Sequence, residues 1–170
     1  MNVLGGYDIE DLALGMSATF SKTITEADIV LFAGVSGDNN ALHINQEYAE
    51  TTQFSGRIAH GMLTASVISA AVANKLPGPG AVYMSQSLVF RAPVRPGDTV
   101  HATVTVKEIN LGRNRALLQT TCSVAGLAVI DGEALVRVGS RKPAPIAPII
   151  EKIMVGAERR LTPLSLEAKQ

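Results

Sequence analysis

The chain has 170 residues, no formal net charge and a single cysteine, Cys122. Charge balance argues against a nucleic-acid binder, which carries a basic excess, and one cysteine excludes an internal disulfide or a cysteine metal cluster. Its apolar stretches are broken well before the roughly 18 residues a bilayer span needs, and residues 1–10 lack the basic-then-apolar order of a secretory signal. The expectation is a cytoplasmic protein with one well-cored domain, or two small ones.

Residues 1–24 read as an entry segment with a short apolar–polar alternation at Ser17-Ala18-Thr19-Phe20. Thr25 then suits a helix N-cap, with Asp28 three residues on, and Ile29, Phe32 and Ala33 supply a helical stripe. Gly37 should stop that helix. A second short helix is predicted at 46–51. A loop over 54–60 leads into a helix over 61–75, rich in Ala, Ser, Val and Ile and without charge until Lys75. A helix apolar nearly all round is expected to be buried. Leu76-Pro77-Gly78-Pro79-Gly80 ends it.

From Ala81 the period becomes two. Val82, Met84, Gln86, Leu88 and Phe90 alternate with Tyr83, Ser85, Ser87, Val89 and Arg91. After a Pro96-Gly97-Asp98 turn, Val100, Ala102, Val104 and Val106 define one face of a second strand, with His101 and Lys107 on the polar face. A turn over 110–114 leads to a third strand carrying Ala116, Leu118, Thr120 and Cys122 on one face, and Ala125-Gly126 hinges a fourth over 127–138. Gly132 reads as a bulge. Helices first and a meander of strands after them predict an α+β fold, one antiparallel sheet wrapped round one apolar helix. Residues 140–170 form a Pro-rich tail in which 149–160 could make an amphipathic helix.

The chemistry-bearing stretch is Ser36-Gly37-Asp38-Asn39-Asn40-Ala41-Leu42-His43, followed by Ala59-His60-Gly61-Met62-Leu63. An acid and an imidazole five residues apart offer two proton-transfer groups. Asp38 after Gly37 equally suits a turn and His43 a loop, so residue types alone leave both readings open. Loop residues held between helices are where catalytic groups commonly sit. The Gly61 N–H is an unpaired donor at a helix start, and the missing Cβ admits a close ligand. His60 itself reads as a local structural residue. Ser66 by default bonds a carbonyl of its own helix, and it could equally orient Asp38. His101 reads as solvated and Cys122 as a core thiol. Arg91, Arg95 and Lys75 read as surface cations. No ligand spacing marks a metal site.

These runs, with Leu76-Pro77-Gly78-Pro79-Gly80 and the segment Gln86-Ser87-Leu88-Val89-Phe90-Arg91-Ala92-Pro93-Val94 before Gly97-Asp98, resemble the MaoC-like, R-specific enoyl-CoA hydratases over about residues 8–139. The resemblance implies a hot-dog domain over 1–139, usually a homodimer or dimer-of-dimers, with no cofactor. It implies Asp38 and His43 as the catalytic pair, Asn40 and the Gly61 N–H as the oxyanion hole, and Ser66 as the support of Asp38. Ala41 departs from the proline common in the family. The implied reaction is reversible hydration of a trans-2-enoyl-CoA to the (R)-3-hydroxyacyl-CoA, with acyl-CoA as partner. Rival readings are a dehydratase acting on an acyl carrier protein substrate, a thioesterase, and a non-catalytic acyl-thioester-binding subunit.

Overall fold

The computed structural model describes residues 2–142; the tail reading, with its helix over 149–160, falls almost entirely outside them. After a short 3-10 turn at Ile9–Asp11, strand β1 spans Ser17–Thr23. Four helices follow: α1 (Glu26–Ser36), α2 (Ala41–Ile44), α3 (Gln46–Glu50) and α4 (Gly61–Asn74). Strands β2 (Val82–Phe90), β3 (Thr99–Asn110), β4 (Arg115–Val124) and β5 (Leu127–Arg137) complete the described chain. All strand pairs are antiparallel, in the order β1-β3-β4-β5-β2, so β1 and β2 are the edges.

Local chemistry sets the element ends. Thr25 Oγ1 accepts from the Asp28 N–H at 3.1 Å, and the Asp28 carboxylate accepts from the Thr25 N–H at 2.8 Å. This is the reciprocal box that satisfies two donors at a helix start. Those bonds, together with Lys22 at 3.0 Å, hold the Asp28 carboxyl down at about 2. Gly37 closes α1 in the left-handed region at φ 78°, where a Cβ would be strained. Between α1 and α3 lies a helix the sequence does not announce. Ala41–Ile44 is a single turn started by Asn40, whose Oδ1 accepts from the Leu42 N–H at 3.0 Å.

Helix α4 packs on β1, β3 and β4 and is the centre of the core. Val100, Ala102, Val104 and Val106 from β3 and Ala116, Leu118, Thr120 and Cys122 from β4 are all buried, as the alternation predicts. Burial pushes the Cys122 thiol up to about 12, which makes it inert at neutral pH. Two expectations need correction. Helix α4 is buried on one side only: Leu63, Val67, Ile68 and Ala71 face the sheet, while Met62, Ser66, Ser69 and Ala73 are exposed in the single chain. Gly132 is not a bulge, since its register with Leu88 and Thr120 is unbroken. Its glycine answers to a close backbone approach, for a Cβ there would stand 1.9 Å from the Ser87 carbonyl oxygen. A register shift lies instead at Met84, between Tyr83 and Ser85. It turns Tyr83 inward and leaves Val82 and Met84 exposed.

Candidate active site

The candidate stretch is built by α1, α2 and the loop entering α4. That loop is tied down along its length. Arg57 bridges to Glu26 at 2.7 Å, Arg95 donates to the Phe54 carbonyl, and the Ala59 N–H bonds the Val94 carbonyl at 2.7 Å. The ties fix the Ile58 carbonyl, and with it His43. The His43 ring is buried at 8% exposure, and its Nδ1 lies 2.9 Å from the Ile58 carbonyl oxygen. A carbonyl can only accept, so Nδ1 carries the proton and the neutral ring presents its lone pair at Nε2.

Nε2 lies 4.0 Å from Asp38 Oδ2. That separation is too long for a direct hydrogen bond and suits one water donating to both atoms. The Asp38 side chain is half exposed and its Oδ1 accepts from the Asn40 N–H at 3.3 Å. An imidazole nitrogen and a carboxylate oxygen thus face the same small space.

Gly61 begins α4, and no backbone acceptor within the described chain takes its N–H; the first helical bond runs from the Thr64 N–H to the His60 carbonyl at 3.1 Å. Gly61 and His43 line one cavity of about 280 Å³ together with Phe54, Ile58, Thr64, Phe90, Arg91 and Ile130. The Phe90 ring packs close at this point: a Cβ at 61 would stand 2.8 Å from it. Arg91 at this cavity pairs through Nε with Asp131 at 3.0 Å.

Of the residues expected at the site, Asp38 faces His43, and His43 shares the cavity with Gly61. Asp38, Asn40 and Ser66 are not among the cavity's lining residues. Asn40 is exposed, and its Oδ1 is occupied as the α2 cap, so only its Nδ2 is left to donate. The Ser66 hydroxyl donates to the Leu63 carbonyl at 2.6 Å, the local bond expected by default, and Asp38 is not its partner within the described chain.

His60 departs from its reading as a merely local residue. It is 1% exposed, stacks on His43 with ring centroids 3.9 Å apart, and places Nε2 3.0 Å from the Asp38 carbonyl oxygen. Asp38, His43 and His60 each bring one ligand-type atom within 4.8 Å of the others. Stacked rings send their in-plane lone pairs sideways rather than to a common point, and two of the four ring nitrogens already donate to carbonyls.

One antiparallel sheet wrapped round one central helix defines a hot-dog-fold protein, and an acid and an imidazole face each other close to the start of that helix. The chain matches the MaoC like domain over residues 12–126. It is 56% identical over 132 residues to an (R)-specific enoyl-CoA hydratase from Rhodospirillum rubrum, covering 78% of this chain and 92% of that one. It is 50% identical over 139 residues to a 3-hydroxybutyryl-CoA dehydratase from Methylorubrum extorquens, covering 81% and 88%. Among solved structures, an R-hydratase from Pseudomonas aeruginosa in the unliganded form superposes with a TM-score of 0.76 at 41% identity, covering 84% of this chain and 95% of that one. The chain belongs to the MaoC-like family, and it is an enzyme of the hydro-lyase class.

Proposed function

We propose that this enzyme reversibly hydrates trans-2-enoyl-CoA to (R)-3-hydroxyacyl-CoA, with Asp38 and His43 as the catalytic pair and the Gly61 N–H as the main oxyanion donor. The observation that carries the reading is the 4.0 Å gap between His43 Nε2 and Asp38 Oδ2, beside a cavity that Gly61 also lines. The names of the relatives support the substrate class and the R configuration.

A water in that gap donates one hydrogen to each acceptor. As its oxygen bonds to the β-carbon, one member of the pair removes its proton, and a proton returns from the pair to the α-carbon. The two groups act as one coupled unit. Such general acid–base help is typically worth about 10²–10⁴-fold. The C=C electrons can shift only if the thioester oxygen can hold negative charge, and the free N–H at the start of α4 supplies that stabilisation, roughly 3–4 kcal/mol for one well-placed donor. Asn40 contributes through Nδ2, the end its capping bond leaves free, and Ser66 supports Asp38 once a ligand or partner subunit reorients its hydroxyl.

The working form is a homodimer. Strand β2 is a nine-residue sheet edge with Val82, Met84, Val89 and Phe90 exposed, and long apolar edges are normally covered. The bare face of α4 lies open in the same single chain.

The test is a spectrophotometric hydration assay over crotonyl- to dodecenoyl-CoA, with chiral analysis of the product. Loss of enoyl absorbance and an R product are expected. Asp38→Asn should lower kcat by at least about 10³-fold while melting as the wild type does, because the carboxylate is half exposed. Thiol release without enoyl loss, or near-wild-type turnover by Asp38→Asn, would overturn the reading.

A further inference from the structure

We infer that His60 is a positioning residue of this site: its Nε2–H ties the Asp38 loop to the start of α4 and so sets the catalytic pair against the oxyanion donor. The inference rests on the reaction proposed above. It starts from an unusual cost. His60 is buried, yet among the described residues its Nδ1 has no hydrogen-bond partner. A buried polar atom left unpaired is expensive, and an apolar ring would avoid the expense at a position that also packs on Phe32, with centroids 4.9 Å apart. The return comes from the other nitrogen. A carbonyl only accepts, so the 3.0 Å contact with the Asp38 carbonyl makes Nε2 the protonated atom in the neutral ring.

That bond is the Asp38 backbone's link to α4. Among the described residues, the other anchors of its exposed loop are local. The Asp38 N–H donates to Ser36 Oγ at 3.1 Å, the Asn39 N–H to the Gly37 carbonyl at 3.0 Å, and the Asn40 N–H to Asp38 Oδ1 at 3.3 Å. None of these fixes the loop against the rest of the molecule. His60 does, and it is itself fixed, for its carbonyl takes the Thr64 N–H and the Thr64 hydroxyl in the first turn of α4. Gly61, which carries the oxyanion donor, is the next residue. One side chain therefore spans from the acid to the donor, while its ring face rests on His43.

Two variants separate the hydrogen bond from the packing. His60→Gln can place an amide N–H near Nε2, whereas His60→Phe keeps an aromatic ring and loses the donor. With crotonyl-CoA, His60→Phe should lose about 10²-fold in kcat, the cost of small misplacement at a reacting centre, while binding of the unreactive butyryl-CoA stays within about twofold of wild type on the same grounds. His60→Gln should recover most of kcat. Turnover by His60→Phe close to wild type, or equal losses in both folded variants, would overturn the inference. Nitrogen NMR of the wild-type protein labelled at histidine needs no variant to fold. A protonated Nε2 and bare Nδ1 at His60 are expected, and the opposite tautomer would overturn the inference. A wild type that hydrates no enoyl-CoA fails the proposed reaction instead, a result distinct from any of these.

Discussion

Glycine at 61 bears on both the proposed chemistry and the packing. In the proposed reaction its N–H stays open to a ligand, and the Phe90 ring stands close to where a Cβ would go. Gly61→Ala forces that ring or the helix start to move. The expected result is a fall in kcat of about 10²-fold, in line with a misplaced oxyanion donor, and a smaller loss in the double variant Gly61→Ala/Phe90→Leu, where the obstructing ring is gone. Steady-state kinetics on crotonyl-CoA checks both, and equal losses in the two proteins would mean the ring is not the obstacle. The candidate residues legible in the sequence were those whose roles are local. Asp38 and His43 lie in one short run, and Gly61 opens a helix whose start can be read from composition. His60 was not legible, because its significance lies in burial and in a bond to a residue 22 positions away. The one available signal was its place immediately before a glycine at a helix N-terminus.

At the scale of elements, Ala41 shows how a departure from the family pattern is absorbed. It is the first residue of α2, where an N–H has no helical acceptor and proline is well tolerated. Asn40 already has φ −55° and ψ 130°, a conformation that suits the residue before proline. Ala41→Pro should therefore raise stability by about 0.4–1 kcal/mol through the unfolded chain and leave kcat unchanged. Urea melts and the hydration assay measure the two halves of that expectation; a destabilised variant would mean the loop needs freedom that proline denies. Helix α2 went unread for the same reason that its first residue is permissive: four residues held by one asparagine cap carry no periodic pattern. Helix α1 was readable because Thr25, Asp28 and Gly37 mark both of its ends chemically. In β3 and β4 the core face is readable in phase, over Val100–Val106 and Ala116–Cys122, whereas in β5 Val129 and Ile130 are both buried beside a register shift that no alternation marks. In β2 the phase failed at Met84, since a register shift is fixed by pairing with β5 and leaves no mark in composition.

For the whole molecule, the surface a single chain leaves bare is the strongest argument about assembly. Met62, Ser66, Ser69 and Ala73 run along one side of α4, spaced as one helical face, while the opposite side is in the core. The sequence reading of α4 as buried all round is what a second copy over this face would produce. Strand β2 adds an open row of backbone donors and acceptors, and two such edges related by a two-fold axis can pair antiparallel with each other. Light scattering should give the wild type a mass near twice the 17.9 kDa of one chain. Charges on the edge, in Met84→Lys/Val89→Lys, should shift it toward the single-chain mass, because like charges would meet across the axis and the apolar cover would be lost. The same variant should lose hydration activity in step with dimer content over a dilution series, since the bare α4 face carries Ser66 and begins one residue after Gly61. A wild type that scatters as a single chain, or a charged variant that stays dimeric, would place the assembly surface elsewhere and leave the exposed edge of β2 without this explanation.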